Sequence, residues 1–90
     1  MSTPTARDMI PLPGLYTYKV ITDPKLVSLE QLVDLTQLTL ARTEPVTLAE
    51  KESKTGKYRS FTLTLHIRVY EEIEALYLAY QRQEGVTYVL

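Results

Sequence analysis

Residues 51–67 read KESKTGKYRSFTLTLHI, and this run decides the architecture. It opens on charged residues around Gly56, a residue free to adopt the left-handed backbone that a tight reversal needs. From Ser60 onward polar and apolar side chains alternate strictly. Phe61, Leu63, Leu65 and Ile67 fall on one side, and Ser60, Thr62, Thr64 and His66 on the other. A period of two marks a strand with one buried face. A slip of one residue would bury all four polar groups, so the register is strongly specified. Upstream of the turn, residues 46–50 place Val46 and Leu48 on one face. The two runs and the turn between them form a hairpin.

Working outward, the period changes to that of a helix. Val69, Ile73, Leu76, Tyr77 and Tyr80 recur at i, i+4, i+7, i+8 and i+11, which predicts a buried face on a helix over residues 69–83. Glu71, Glu72 and Glu74 lie near its positive N-terminal end and Arg82 near its C-terminal end, as the macrodipole favours. Gly85 is placed to be the C′ residue, and residues 86–90 read as a last short strand. On the other side of the hairpin, Asp23-Pro24 predicts a helix start, with Asp23 as N-cap and Pro24 in the first turn. The helix is expected to end near Arg42, before the Glu44-Pro45 break. Leu26, Leu29, Leu32, Val33, Thr36 and Leu40 then share a face of about 120°. Residues 16–21 form the first strand, with Tyr16, Tyr18 and Val20 on one face and Thr17, Lys19 and Ile21 on the other.

The order is therefore β-α-β-β-α-β. Two right-handed crossovers of this size give an α+β ferredoxin-like sandwich: a four-stranded antiparallel sheet, order 4-1-3-2, with two helices on one face. The expected organisation is a flexible, proline-interrupted tail over residues 1–14 and one domain over residues 15–90. The uncovered sheet face is expected to carry Thr17, Lys19, Ile21, Thr47, Ser60, Thr62, Thr64 and His66.

Three stretches resemble the small bacterial YbeD-like proteins: residues 16–20 (YTYKV), 51–60 (KESKTGKYRS) and 73–77 (IEALY), joined by the final Val89-Leu90. The spacing K-x-S-x-x-G-x-Y-x-S is the most specific of these. The resemblance covers residues 15–90 and implies a fold similar to regulatory domains of the ACT type, without implying a reaction. The chain departs from that family in its proline-rich N-terminal extension and in a shorter connection around residues 43–45.

Composition removes several functions. The chain has 90 residues, 44% hydrophobic and 23% charged, enough for one core without staples. A net charge of −1 supplies no overall positive field for nucleic acid or anionic lipid. No cysteine and a single histidine exclude thiol chemistry and multi-histidine metal sites. No cofactor or metal is expected. No apolar run approaches the roughly 18 residues of a membrane span, and the N-terminus lacks a signal-peptide layout, so the expected compartment is the cytoplasm.

The remaining candidates each have a plain structural reading. Lys51, Lys54, Lys57 and Arg59 beside Tyr58 make a basic hairpin fit for an anion or an acidic partner. The same charges also guard a sheet edge against pairing, and Glu50 and Glu52 dilute them. His66 has a pKa suited to a switch or base, but no carboxylate is expected beside it. The three glutamates 71, 72 and 74 spread over about 160° of the helix wheel and do not converge. Of the seven tyrosines, Tyr16 and Tyr18 alternate, like Phe61, onto the helix-covered face, so core packing accounts for them better than base stacking. Val27, Leu35 and Leu38 cluster within about 80° on the outer side of the first helix, a candidate oligomer contact or a sign that the helix is rolled.

The reading that follows is a non-enzymatic cytoplasmic regulatory or interaction module, binding a protein partner or a small metabolite. Its candidate interaction residues are Thr17, Lys19, Lys54, Lys57, Arg59, Thr62, Thr64 and His66, with a homodimer through Val27, Leu35 and Leu38 as a further reading. A nucleic-acid-binding domain ranks below it, because the open face has threonines where rings would stack. An acylphosphatase-like hydrolase ranks lower still. That chemistry wants an arginine in a glycine-bearing loop after the first strand, where this chain has Thr22-Asp23-Pro24-Lys25. The missing glycine there also weakens amino-acid binding of the ACT type.

Overall fold

The computed structural model describes residues 11–43 and 45–90. Among them the elements run β1 (Gly14–Thr22), α1 (Leu29–Leu40), β2 (Thr47–Glu52), β3 (Arg59–Ile67), α2 (Tyr70–Arg82) and β4 (Val86–Val89). The strands form one antiparallel sheet in the order β2-β3-β1-β4, which is 4-1-3-2 read from the other edge. The result is the expected α+β ferredoxin-like sandwich. β1 and β3 are the central pair, in register from Gly14↔Ile67 to Thr22↔Arg59.

Alternation works as expected in the central strands. Tyr18 and Val20 of β1 and Phe61, Leu63, Leu65 and Ile67 of β3 are buried, joined by Val89 of β4. Leu32 of α1 and Ile73, Leu76 and Tyr80 of α2 complete this core from the helix layer. Polar atoms inside it are paired, as burial requires. Tyr18 Oη donates to the carbonyl of Ile73 at 2.9 Å. Thr36 donates to the carbonyl of Leu32 at 2.7 Å, so the 2.5 Å contact to Tyr80 is Tyr80 Oη donating to Thr36 Oγ1.

Several local readings change. Residues 1–10, most of the expected tail, lie outside the described residues; Gly14 is already in β1, and Leu12 packs half-buried against the core. The first helix does not begin at Asp23. Asp23 instead closes a turn: its carbonyl accepts from the N–H groups of Leu26 and Val27, and its Oδ1 accepts from Lys25 N–H at 2.9 Å. The helix starts five residues later, because Ser28 and Gln31 form a reciprocal capping box. Gln31 N–H donates to Ser28 Oγ at 3.3 Å, and Ser28 N–H donates to Gln31 Oε1 at 2.7 Å. Two free donors are satisfied at once, which a lone aspartate cap does not offer.

Later starts reshape the buried faces as well. Leu26 is half exposed rather than core, because it lies in the turn. In α2, Ile73, Leu76 and Tyr80 are buried, but Val69 is the N-cap and 51% exposed, and Tyr77 at the margin of the stripe is 40% exposed. Gly85 is not the C′ residue, since Gln83 already caps α2 and the C′ position falls on Glu84. Its φ of +91° and its contact with the Asp23 turn explain it better. A Cβ there would lie 2.5 Å from Leu26 Cβ and 2.8 Å from Val27 Cγ2.

Candidate functional site

Directly opposed residues of antiparallel strands project from the same face, so the register lays out the uncovered side as rows. One row is Thr47, Thr64 and Thr17; the next is Ala49, Thr62 and Lys19; the third is Lys51, Ser60, Ile21 and Tyr88. Thr17, Lys19, Thr62 and Thr64 therefore come together at the centre of the sheet. The hydroxyls of Thr17 and Thr64 are 2.9 Å apart and hydrogen-bonded. His66 stands apart, at the end of β3 opposite Leu15, which is 75% exposed.

The basic hairpin divides. Lys54 and Lys57 are exposed at the tip, with Lys57 Nζ 5.6 Å from the centre of the Tyr58 ring. Gly56 makes the reversal with φ +71°. Arg59 does not join them. It lies opposite Thr22, on the helix side of the sheet, where Nη1 is 3.2 Å from Glu50 Oε1 and Nη2 is 3.6 Å from Glu52 Oε1. The alternation that turns Phe61 inward also turns Arg59 inward, so parity carried that signal in the sequence.

The oligomer trio also separates. Val27 is 2% exposed and belongs to the core, Leu35 packs half-buried against it, and Leu38 is 79% exposed. Val27 precedes the helix, so a helical wheel assigns it an angle it does not have.

Two hollows complete the surface. On the open face, Lys19, Ile21, Lys51, Glu52, Ser53, Tyr58 and Ser60 line a groove of about 220 Å³. Tyr88, which sequence reading passed over, extends the same row beyond Ile21. On the helix side, Tyr16, Tyr70, Ile73, Tyr77, Leu78 and Leu90 frame an apolar trough of about 420 Å³. Its lining comes from β1, α2 and the last residue, elements far apart in sequence. Among the described residues no three His, Asp or Glu side chains gather closely enough to hold a metal ion, and no helix is long and apolar enough to cross a membrane.

A four-stranded sheet with one helix-covered face and one hydroxyl-rich open face defines a small α+β domain of the ferredoxin-like class. Residues 8–90 match the family described as "Protein of unknown function (DUF493)", and the chain belongs to that family. No curated protein matches the sequence. The solution structure of protein HP0495 from H. pylori is similar, with a TM-score of 0.78 and 24% identity, covering 100% of this chain and 94% of that one. That likeness shows the fold.

Proposed function

We propose that this chain is a non-enzymatic regulatory or interaction module of the cytoplasm, engaging a protein partner or a small metabolite through its open sheet face and hairpin. One observation carries the reading: Thr17, Lys19, Thr62 and Thr64 form a continuous polar patch on the two central strands, with both helices on the opposite side. The backbone ladder fixes the spacing of these positions, so binding here orders side chains, the Lys19 stem above all, but no backbone. The likeness of residues 16–20, 51–60 and 73–77 to YbeD-like proteins supports the fold that presents this face and names no ligand or partner.

The test is a comparative pull-down from native cytoplasm with the full chain and its Thr62→Glu, Thr64→Glu double variant. Both positions are half-buried on the open face and Thr64→Glu removes the hydroxyl pair with Thr17, so the melting temperatures of parent and variant are measured alongside and retention is compared where both are folded. A partner or metabolite retained by the parent and lost by the variant supports the face. Equal retention by both removes it.

A further inference from the structure

Within that face, and resting on the same reading of it, the third row has a chemistry of its own. It runs from a cation at Lys51, through the hydroxyl of Ser60, to the apolar side chains of Ile21 and Tyr88. Lys19 approaches the same groove from two residues along β1. Neither Lys19 nor Lys51 forms an ion pair among the described residues, whereas the nearby Arg59 is taken by Glu50 and Glu52. Glu52 also lines the groove, and its carboxylate is 3.6 Å from Arg59, which offsets part of its charge. Ser53 Oγ accepts from Tyr58 N–H at 3.0 Å, so its own O–H is left to donate. Two lysines, a hydroxyl donor and an apolar floor thus line one small hollow beside the Glu52 carboxylate.

We infer that this groove binds a small free organic phosphate monoester. Its phosphate sits between Lys19 and Lys51, and its apolar body lies over Ile21 toward Tyr88. A monoester carries close to two negative charges above its second pKa of about 6, which two lysines match and a single carboxylate does not. Its apolar part would take Ile21 and half-exposed Tyr88 out of water, a gain that inorganic phosphate cannot make.

The experiment titrates phenyl phosphate into the isotope-labelled full chain at neutral pH and low salt, following each backbone amide by NMR. Saturable shifts are expected at Ile21, Lys51, Ser53 and Ser60, and inorganic phosphate should bind more weakly. Lys19→Ala and Lys51→Ala should each weaken binding about two- to fivefold, the range of a solvent-exposed charge contact. A Lys54→Ala, Lys57→Ala variant at the tip should bind as the parent does. Shifts centred on the tip, equal affinity for inorganic phosphate, or a Lys19→Ala, Lys51→Ala variant that binds normally would overturn the site. Because the titration uses purified protein, its failure is distinct from failure of the pull-down. A partner that depends on Thr62 and Thr64 in a chain silent to phenyl phosphate would leave the open face standing without this ligand.

Discussion

Arg42, two residues beyond α1, grips the carboxylate of Glu72 in the first turn of α2 with both terminal nitrogens. Nη1 donates to Oε2, and Nη2 donates to Oε1 at 3.3 Å and to the carbonyl of His66 at 2.7 Å. The Arg68 N–H also donates to Oε1, at 2.7 Å. The two side chains are only 13% and 18% exposed, so the end of α1, the end of β3 and the start of α2 are joined at one shielded pair.

Burial alone would raise the Glu72 carboxyl, but the Arg68 and Val69 N–H groups and the Arg42 guanidinium together hold it below its ordinary 4.5. A depressed folded pKa contributes stability that is present above the unfolded value and lost as pH falls through the folded one. Glu72→Gln should cost about 1–3 kcal/mol in urea unfolding at pH 7, because it strands the partly buried guanidinium. The gap between variant and parent should narrow as pH drops below 4.5. An unchanged gap would assign the loss to packing instead.

Between the helices, Tyr80 depends on Thr36 for its acceptor. Thr36→Val should cost about 1–3 kcal/mol by leaving a buried hydroxyl unpaired, and Tyr80→Phe in the same background should recover part of it. A double-mutant cycle by chemical denaturation measures the coupling.

Burial pushes Tyr80 up to about 12, partly offset by the Thr36 hydrogen bond. Tyr18 is raised further, by burial first and then by its neighbours Tyr80, Tyr16 and Glu72. A raised folded pKa means stability held below the ordinary 10.0 and lost as pH climbs from there toward the folded value. Tyrosinate absorbance should therefore show Tyr18 and Tyr80 ionising together with loss of ellipticity. Early, non-cooperative ionisation of all seven tyrosines would contradict it.

Gly85→Ala should be markedly worse than Gly56→Ala. Both positions have positive φ, +91° and +71°, so each pays roughly 1 kcal/mol of backbone strain. At Gly56 the nearest atom to a new Cβ is 3.8 Å away, but at Gly85 it meets Leu26 and Val27 below 3 Å. Melting temperatures of the two variants compare the clash directly.

Val27→Ala should destabilise by about 2 kcal/mol, the loss of two buried methyl groups plus a small cavity. Leu38→Ala, at a position 79% exposed, should stay within about 0.5 kcal/mol. Chemical denaturation of both checks whether the outer-patch reading or the core assignment of Val27 holds.

The readings that survived are those carried by neighbours along the chain. Alternation in residues 60–67 assigns the buried and open faces of β3 without reference to any other element, and right-handed crossovers then order the strands. The same rule, extended one step back to Arg59, would have placed that arginine on the helix side. Four of the misread positions, Asp23, Leu26, Val27 and Gly85, lie where two loops meet. Asp23 N–H donates to the carbonyl of Gly85 at 2.8 Å, a contact spanning most of the domain.

By itself, then, the sequence determined the kinds and order of the elements, the sheet topology and the hydroxyl-rich open face, because side-chain periods of two and 3.6 are local properties of the backbone. The Ser28–Gln31 capping box that starts α1 is likewise local, but only the tertiary structure decided that Val27 is core and which lysines share a groove with Ile21 and Ser60. Those depend on loop packing and on register between strands more than thirty residues apart, and a hydrogen bond or a close contact across that distance leaves no periodic mark in the chain.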